Sequence, residues 1–398
     1  MTLVLLLLLL LALSLLTAVL YSTKLRRFSQ QAPNLALAAT PFQPSSPVVV
    51  IVPAYNEAEN IESCLLSILN CTTLPAETLE VWMVNDQSSD STWAIAQALQ
   101  QRLNDPRLHL LQGQPRPTGE VWMGKNWACT QAVEQTTSEF LLFLDADVRL
   151  QPGAIETAVQ TMQQEQLDLL SCAPAIECGC LAEWLVQPLI ISTILIGFNF
   201  EAVNDPKSDT AFAAGPFMLF RRSAYDKIGG HRAVADQVVE DVELARRIKF
   251  TGLRLKFILG RELATVRMYR SGAALWEGWT KNFYLATQRN LTGSLLFVGL
   301  LLLICTVPWL GLLIGLSQIA LDGWTSVWVG ILMLAASVIA LQYDARRQLY
   351  PVTGIAPTYW YLMGFGGVAV AAVVIGSIIK TETGWGWTWR GRPLKLSA

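Results

Sequence analysis

The stretch Val48-Val49-Val50-Ile51-Val52-Pro53-Ala54-Tyr55-Asn56-Glu57 decides the fold of this chain. Its first five residues are all apolar and β-branched, which is typical of a short strand buried on both faces of a sheet. The proline and the polar residues after it end the strand, and residues 57–70 then show the apolar period of a helix. A buried strand that leads directly into a helix is the building unit of an α/β domain.

The alternation of strand and helix continues along the chain. The further predicted elements are strands at residues 79–84, 108–111 and 140–144 and helices at residues 92–103 and 126–135. This order predicts a mostly parallel sheet with helices on both faces. Ligands of such sheets bind at the carboxyl ends of the strands, where Asp86 and Asp145 fall.

Long apolar stretches set the two ends of the chain apart from this α/β segment. Hydrophobic residues make up 52% of the chain, more than in a typical soluble protein. The excess is concentrated in residues 2–20, 295–317, 325–341 and 358–379. Each stretch approaches the roughly 20 residues that a helix needs to cross a bilayer. The first lacks the basic start and the cleavage site of a signal peptide, so we expect an uncleaved anchor.

Basic residues predict the side of the membrane on which the α/β domain lies. Lys24, Arg26 and Arg27 follow the first apolar stretch, and such positively charged flanks remain in the cytoplasm. We therefore expect an integral membrane protein whose α/β domain is cytosolic. If all three later stretches cross, the tail with Arg390 and Arg392 ends outside, against this rule. That conflict leaves open that one of them lies in the interface or re-enters.

A further apolar stretch, residues 181–200, contains Glu183, Gln187 and Pro188. These residues favour an in-plane interface helix or a buried core helix over a span. The predicted domains are an N-terminal transmembrane anchor at residues 1–22, a linker at 23–47, the α/β domain at 48–290, a C-terminal transmembrane region at 291–380 and a basic, Trp-rich tail at 381–398.

Charge and cysteine content exclude two other classes of protein. The net charge is −2 and the chain has no basic stripe with interleaved aromatic residues, so we expect no nucleic-acid partner. The seven cysteines show no paired spacing of the kind that binds zinc. Unpaired thiols in a reducing compartment are the simplest account of them.

Two carboxylates follow the predicted strand at residues 140–144. Asp145 and Asp147 are separated only by Ala146, so one can bind a divalent cation while the other contacts a sugar or ribose hydroxyl. Mg²⁺ and Mn²⁺ prefer oxygen ligands and are often shared with the phosphates of a substrate. A plain acidic turn is the alternative. The place at the end of a buried strand favours a metal site held by Asp145 and Asp147.

Asp86 and Lys125 are candidates for binding a nucleotide. Asp86 ends a predicted strand, too early to cap the helix at residue 92, and its carboxylate can accept the imide N–H of uracil or a ribose hydroxyl. Asp90 is instead placed to cap that helix. Lys125 precedes a helix, where its ammonium can meet a diphosphate near the helix N-terminus. A solvated lysine is the alternative for Lys125.

The turn after the first strand contributes Pro53, Tyr55 and Glu57. Its backbone and the Glu57 carboxylate can hold a base and a ribose. The alternative is a simple turn between a strand and a helix.

A second acidic pair, Glu240 and Asp241, opens a predicted helix. Acidic residues in a first helical turn also stabilise the helix dipole, so structure alone could explain them. In this context we favour Asp241 as a general base that takes a proton from an acceptor hydroxyl, with Glu240 secondary. Upstream, Gly215 lies in a turn before a strand that is a candidate floor under the acceptor. His231 is expected to be structural.

Taken in order, these motifs resemble the family 2 glycosyltransferases with the GT-A fold. The resemblance runs from about Val48 to Lys281 and rests on the segment from Pro53 to Glu57, on Asp86 and Asp90, on the Asp145/Asp147 pair, on Gly215 and on Glu240/Asp241. It implies donor contacts, base contacts, a metal site, an acceptor-side loop and a catalytic base, with inversion at the anomeric carbon. The membrane-bound enzymes that glycosylate lipids, including hopanoid-associated, carotenoid and ceramide types, look most similar.

One departure from that family separates the possible functions. Processive synthases and ceramide glucosyltransferase carry a Gln-x-x-Arg-Trp motif, whereas this chain has Trp276-Glu277-Gly278-Trp279-Thr280 at the corresponding place. Acceptor-side contacts are therefore expected from other groups, such as Trp279. The resemblance favours non-processive transfer of a sugar, from a UDP-sugar in the first instance, to a hydroxyl of a lipid acceptor. A processive polysaccharide synthase and a non-catalytic protein that binds nucleotide-sugars are the alternatives.

Overall fold

The computed structural model describes residues 2–37, 44, 46–197 and 199–394. Their contacts divide them into two compact units. The α/β unit comprises residues 32–177 and 199–268, and the membrane-helix unit comprises residues 2–31, 178–197 and 269–394, within the described ranges. Helices at 181–197 and 272–286, which fall inside the predicted domain 48–290, thus belong to the unit of membrane helices.

Strands and helices are numbered separately in chain order. The strands are β1 Val48–Ala54, β2 Leu79–Asn85, β3 Leu108–Gln112, β4 Phe140–Leu144, β5 Val148–Leu150, β6 Leu169–Ala173, β7 Ala175–Ile176, β8 Phe217–Arg221, β9 Leu255–Leu259, β10 Ala264–Val266, β11 Thr388–Trp389 and β12 Arg392–Pro393. The helices are α1 Thr2–Gln31, α2 Ile61–Asn70, α3 Thr92–Leu103, α4 Gly124–Val133, α5 Ala154–Gln164, α6 Leu181–Gly197, α7 Phe200–Asn204, α8 Arg222–Lys227, α9 Glu240–Phe250, α10 Gly272–Ala286, α11 Leu291–Cys305, α12 Val307–Asp322, α13 Ser326–Thr353 and α14 Met363–Thr383.

The α/β unit is built on a large mixed sheet. Across the described residues its strand order is β3-β2-β1-β4-β8-β6-β9. β1 pairs in parallel with both β2 and β4, and β3 and β9 are also parallel to their neighbours. β8 is antiparallel to β4 and to β6. The predicted mostly parallel sheet is thus confirmed.

The apolar runs of the sequence form the core of this unit. Val50 and Val52 of β1 and Leu142 of β4 are buried, as are Ile61 and Leu65 on the inner face of α2. Burial of one such side chain contributes about 1.5–3 kcal/mol relative to its exposure. The continuous β-branched run fits a strand covered on both faces, as the sequence predicted.

The segment between α1 and β1 differs from the predicted linker. α1 continues past the predicted anchor end at residue 22 to Gln31, so the prediction of a linker from residue 23 placed its start too early. The helix stops shortly before Pro33, which disfavours helical geometry in the residue that precedes it. The N–H of Leu35 then donates to the Leu259 carbonyl at 2.9 Å. Residues 38–43 and 45 of the predicted linker lie outside the described residues.

In the membrane-helix unit, four segments of the described chain are long and apolar enough to cross a bilayer. They are Thr2–Gln31, Leu291–Asp322, Ser326–Thr353 and Trp360–Thr383. The second contains a break at Thr306, between α11 and α12, because Pro308 in the first turn of α12 has no N–H to donate. α6 is 17 residues long and is a shorter apolar helix, in line with the prediction that this segment does not span.

Candidate active site

The carboxyl ends of β1, β2 and β4 lie at one edge of the large sheet, because these strands are parallel neighbours. Ala54 at the end of β1 pairs with Asn85 at the end of β2. The next residue, Asp86, donates its N–H to the Ala54 carbonyl at 2.8 Å. Asp145 follows directly after β4. This edge therefore brings the turn after β1, Asp86 and Asp145 to the same end of the sheet.

Lys125 joins two of the predicted site residues. Its Nζ lies 2.6 Å from Oδ1 of Asp145 and 2.8 Å from Oε1 of Glu240. Lys125 is in the first turn of α4 and Glu240 is the first residue of α9, so the ammonium connects the end of β4 to the start of α9. Burial alone would lower the pKa of Lys125, but the two carboxylates outweigh it and raise that pKa well above its usual value. Lys125 is therefore a stable cation within an acidic cluster.

Asp241 is held in place by backbone N–H groups. Gly215 donates its N–H to Oδ2 of Asp241 at 2.8 Å, and Val242 donates its N–H to Oδ1 at 2.8 Å. A Cβ atom at Gly215 would lie 3.0 Å from Oδ2 of Asp241 and 3.2 Å from Nζ of Lys125. The absence of a side chain at this position thus leaves room for both charged groups.

The surroundings of Asp241 suit proton transfer near neutral pH. Burial and the negative charge of Glu240 raise the pKa of the Asp241 carboxyl, whereas Lys125 and the two backbone N–H groups oppose this. The resulting pKa is about 7. A general base works best when its pKa lies near the operating pH, because it can then accept a proton and release it again.

Asp86 is buried and has a cationic neighbour. Nη2 of Arg116 lies 3.4 Å from its Oδ2, and the Arg116 side chain is 32% exposed. The sequence analysis did not single out Arg116, because it lies in an irregular segment with no motif around it. Its guanidinium adds a positive charge next to the carboxylate that was predicted to contact the base or the ribose.

The turn after β1 is fixed by the segment after β2. Asn56 and Gln87 both have positive φ angles, 54° and 57°, which non-glycine residues seldom adopt. Oγ of Ser88 accepts the N–H of Asn56 at 3.0 Å. The ends of β1 and β2 thus form one interlocked pair of turns at the carboxyl edge of the sheet.

Glu57 and Asp90 take part in the same contacts. Oγ1 of Thr92 accepts the N–H of Glu57 at 2.7 Å, and Oε2 of Glu57 accepts a hydrogen bond from Asn60 at 2.9 Å. Asp90 accepts the N–H groups of Ala58 at 3.2 Å and of Thr92 at 3.0 Å. Asp90 therefore joins the start of α3 to the turn after β1. The N-cap position of α3 is Ser91 rather than Asp90, so Asp90 accepts the N–H of Thr92 from one residue before the cap.

The Asp145/Asp147 pair stands between β4 and β5, and both residues are half-buried. Asp147 also accepts, at its backbone carbonyl, the N–H of Arg267 at 3.4 Å. Among the residues that the structure describes, no group of three or more His, Cys, Asp and Glu side chains is arranged to hold a metal ion. A cation at this pair would therefore need ligands from a bound substrate as well.

Trp279 belongs to the other unit of the structure. It lies in α10 of the membrane-helix unit, is buried, and donates its indole N–H to Oε1 of Gln187 in α6 at 2.9 Å. Its expected role on the acceptor side stays a prediction. Pro53, Tyr55, Glu57, Asp86, Lys125, Asp145, Asp147, Gly215, Glu240 and Asp241 all lie in the α/β unit.

The structure adds one positioning residue that the sequence analysis missed. Asn126 is fully buried, and its Nδ2 donates to the carbonyls of Val234 at 2.7 Å and Gln237 at 3.0 Å. It thereby holds the loop that leads into Glu240 and Asp241. No sequence pattern indicates this contact, because the partners of Asn126 are backbone carbonyls more than 100 residues away.

His231 has the structural role that the sequence indicated. It is buried, shares a 2.8 Å hydrogen bond with the hydroxyl of Tyr225, and packs edge-on against the ring of Phe143 at 4.5 Å between centroids. Burial and the charge of Lys125 lower its pKa to about 3, so the imidazole is neutral at physiological pH.

This fold and site define the class of enzyme. The mostly parallel sheet, the acidic pair after β4 and the acidic start of α9 are the features that the resemblance to GT-A glycosyltransferases implied. Residues 49–229 match the profile of Glycosyl transferase family 2, and residues 140–341, half of the chain, match that of Glycosyl transferase family group 2. The chain belongs to the family 2 glycosyltransferases. It is a membrane-associated enzyme that transfers a sugar from a nucleotide-sugar donor.

Curated relatives come from staphylococci. The chain is similar to the 4,4'-diaponeurosporenoate glycosyltransferase of Staphylococcus haemolyticus, with 25% identity over 68% of this chain and 69% of the relative. It is similar to the enzyme of the same name from Staphylococcus aureus, with 28% identity over 59% of this chain and 60% of the relative.

A solved structure shares the fold. The mannosyltransferase PcManGT from Pyrobaculum calidifontis, in complex with GDP-Man and Mn²⁺, matches 94% of this chain and 97% of its own with a TM-score of 0.54. The sequence identity is 19%, so the match concerns the fold. It confirms the predicted GT-A architecture.

Proposed function

We propose that this enzyme transfers one sugar, with inversion, from a nucleotide-sugar to a hydroxyl of a lipid acceptor at the membrane. A UDP-sugar is the first donor to test. The observation that carries the proposal is the cluster in which Lys125 pairs with Asp145 and Glu240 while Asp241 is held by Gly215. This cluster combines donor-side and acceptor-side groups in one place.

Asp241 is the proposed general base. In a single displacement the acceptor oxygen bonds to the anomeric carbon, the bond from that carbon to the diphosphate breaks, and the hydroxyl proton passes to Asp241. The two backbone N–H groups on Asp241 fix the direction of its carboxylate before the acceptor binds. A pKa of about 7 leaves a large share of this carboxyl ionised at neutral pH.

The donor side is assigned to the carboxyl edge of β1, β2 and β4. Asp86 is proposed to accept a hydrogen bond from the base or the ribose, with Pro53, Tyr55 and Glu57 lining the turn beside it. Lys125 has three N–H groups and gives two of them to Asp145 and Glu240. Its third N–H is proposed to meet a phosphate oxygen of the donor, at the N-terminus of α4.

Asp145 and Asp147 are proposed to hold Mg²⁺ or Mn²⁺ together with the donor diphosphate. Phosphate and water oxygens would complete the coordination shell of a cation held by these two carboxylates. Such a cation would neutralise the negative charge that develops on the departing diphosphate. Lys125 contributes a fixed positive charge to the same region.

The lipid acceptor is supported by two observations. The chain carries segments apolar enough to cross a membrane, and its relatives are named for a carotenoid acid, 4,4'-diaponeurosporenoate. A carotenoid is therefore the first acceptor to test, followed by hopanoids and glycerolipids. Gly215, Glu240 and Trp279 are proposed to lie on the acceptor side. The basic residues after the first apolar stretch support a cytosolic catalytic domain.

The test uses membranes that contain the full chain. They are incubated with a panel of labelled nucleotide-sugars and candidate lipids. The lipid-soluble label is then extracted, and the number of sugars per lipid is determined. One sugar per lipid in the wild type, lost in Asp241→Asn, supports the proposal. A ladder of products would favour a processive synthase, and nucleotide binding without lipid label would favour a non-catalytic protein.

A further inference from the structure

The polar end of α1 marks one boundary of the membrane in the membrane-helix unit. Residues 2–20 are almost entirely apolar, and Tyr21, Lys24 and Arg26 follow. Arg26 forms an ion pair with Asp344 of α13 at 3.2 Å, and both side chains are exposed. Lys24 and Arg26 identify this boundary as the cytosolic one by the positive-inside rule.

α6 runs across α1 and α13 at this boundary. Ser192, near its C-terminal end, accepts a hydrogen bond from the Tyr21 hydroxyl at 2.6 Å. Two turns earlier, the Trp184 carbonyl accepts from Arg346, which lies two residues after Asp344. The two ends of α6 thus contact α1 and α13 at the same depth in the membrane. A helix with both ends at one level lies in the plane of the membrane.

α10 continues this layer. Its Trp279 bonds to Gln187, in the middle of α6. Glu277 of α10 accepts a hydrogen bond from Thr388 of the C-terminal hairpin at 2.6 Å, and Nζ of Lys281 lies 4.0 Å from the centre of the Trp389 ring. Charged groups of this kind are costly inside the hydrocarbon core and are ordinary at its surface.

α14 packs along α6 and α10 through small residues. A Cβ at Gly366 would lie 2.8 Å from the Leu185 carbonyl of α6, and a Cβ at Gly376 would lie 2.8 Å from the Trp276 ring of α10. The next residue, Ser377, accepts the N–H of Tyr284 at 3.0 Å. Both halves of α14 are therefore fixed to helices that lie at the boundary.

α11 lies beside α14 in the opposite direction. At one end Thr306 donates its hydroxyl to the Gly364 carbonyl at 2.9 Å. At the other, Arg289 and Glu382 form an exposed ion pair at 2.7 Å. If α14 crossed the bilayer, Gly376 would lie about 15 Å deeper than Gly366. The helices that these two glycines contact, α10 and α6, are however bonded directly to each other through Trp279 and Gln187.

We propose that α11 and α14 lie within the membrane leaflet on the catalytic side and do not cross it. Their exposed apolar side chains form a surface that fits the acyl chains of that leaflet. This surface comprises Leu295 and Leu296 of α11, and Phe365, Val368, Ile375 and Ile379 of α14. α1, α12 and α13 are then the crossing helices, and the C-terminal tail lies on the same side of the membrane as Lys24 and Arg26.

The proposal explains the conflict over the basic tail. Three crossings place Arg390 and Arg392 on the side of Lys24 and Arg26, in agreement with the positive-inside rule. Length and composition alone favour a crossing for residues 360–383, because they reflect the apolar residues of this segment but not its contacts with α6 and α10.

Cysteine labelling with a membrane-impermeant maleimide tests the topology. Cys178 and Cys180 are replaced by Ser to reduce background, since the other five thiols are buried. Single cysteines then replace Trp385 in the tail, Trp324 between α12 and α13, and Phe250 in the α/β unit; all three side chains are more than 70% exposed. The assay compares intact cells with inverted vesicles of the full chain.

We expect Trp385→Cys and Phe250→Cys to be labelled from the same side and Trp324→Cys from the opposite side. Labelling of Trp385→Cys together with Trp324→Cys would overturn the proposal. Nitroxide labels at Phe365, Val368, Ile375 and Ile379 give a second readout. Accessibility to oxygen should stay level along α14, whereas a maximum near its middle would show that it crosses. Neither measurement depends on sugar transfer.

Discussion

The backbone N–H of Gly215 donates to Oδ2 of Asp241 at 2.8 Å, between residues 26 positions apart in the chain. This contact joins the loop before β8 to the first turn of α9. It aligns the proposed base and at the same time leaves no room for a side chain at residue 215.

Gly215→Ala should therefore slow transfer more than it weakens donor binding. The new Cβ would lie 3.0 Å from Asp241 and 3.2 Å from Lys125, so one of the two charged groups must move. A misplaced base costs about 10²-fold in rate. Steady-state kinetics with the lipid acceptor measure the change. Gly330→Ala, where an added Cβ meets nothing within 4 Å, is the control and should keep wild-type rates.

The rate of transfer should depend on pH through the protonation of Asp241. Its pKa is about 7, and a protonated carboxyl cannot accept the acceptor's proton. The rate should thus fall as the pH drops through 7, by about tenfold per unit well below it. Lys125 lowers the pKa of Asp241. Lys125→Met should therefore raise that pKa and move the fall in transfer rate to higher pH. A rate that stays level between pH 5 and 8 would argue against Asp241 as the base.

Asp147→Asn should abolish transfer, because the proposed metal site loses an anionic ligand. Removal of divalent cations with a chelator should have the same effect, and Mn²⁺ or Mg²⁺ should restore activity in the wild type. Asp226→Asn, at an exposed position in α8, is the matched control. Activity of Asp147→Asn within a few-fold of that of the control would remove the metal assignment.

Asp86→Ala should weaken nucleotide binding more than it lowers the turnover rate, since a contact to the base or the ribose is present before and during the reaction. Asp90→Ala is the contrasting variant. Asp90 binds backbone N–H groups of two turns, so its loss should lower thermal stability. Calorimetry with the nucleotide and thermal unfolding separate the two roles. Equal nucleotide affinity in Asp86→Ala and the wild type would make Asp86 structural.

Local patterns in the sequence were sufficient to predict most of the sheet. α3 and β4 begin and end at the predicted residues, because the apolar period is set by neighbours in the chain. The strand after Gly215, β8, was predicted, but its antiparallel place between β4 and β6 was not. Its place depends on pairing between residues far apart, such as Phe140 with Arg221.

The site divides in the same way. The motifs indicated Asp86, Asp145 and Asp241 as candidate site residues, because carboxylates at the ends of strands and the starts of helices can be recognised in the sequence. The links between them were not visible, since Lys125 reaches Glu240 across the fold. Asn126 was missed for the same reason. The extension of α1 to Gln31 was not predicted, because the anchor was bounded by its apolar residues alone.

The central claim is that Asp241 accepts the acceptor's proton, and a comparison of Asp241→Asn with Glu240→Gln tests it most directly. Both residues open α9, and both changes remove one carboxylate. Transfer to lipid and binding of the donor nucleotide are measured for each variant. We expect Asp241→Asn to bind donor normally but to lose about 10²–10⁴-fold in transfer rate, and Glu240→Gln to lose clearly less. Equal transfer rates in the two variants would contradict the account.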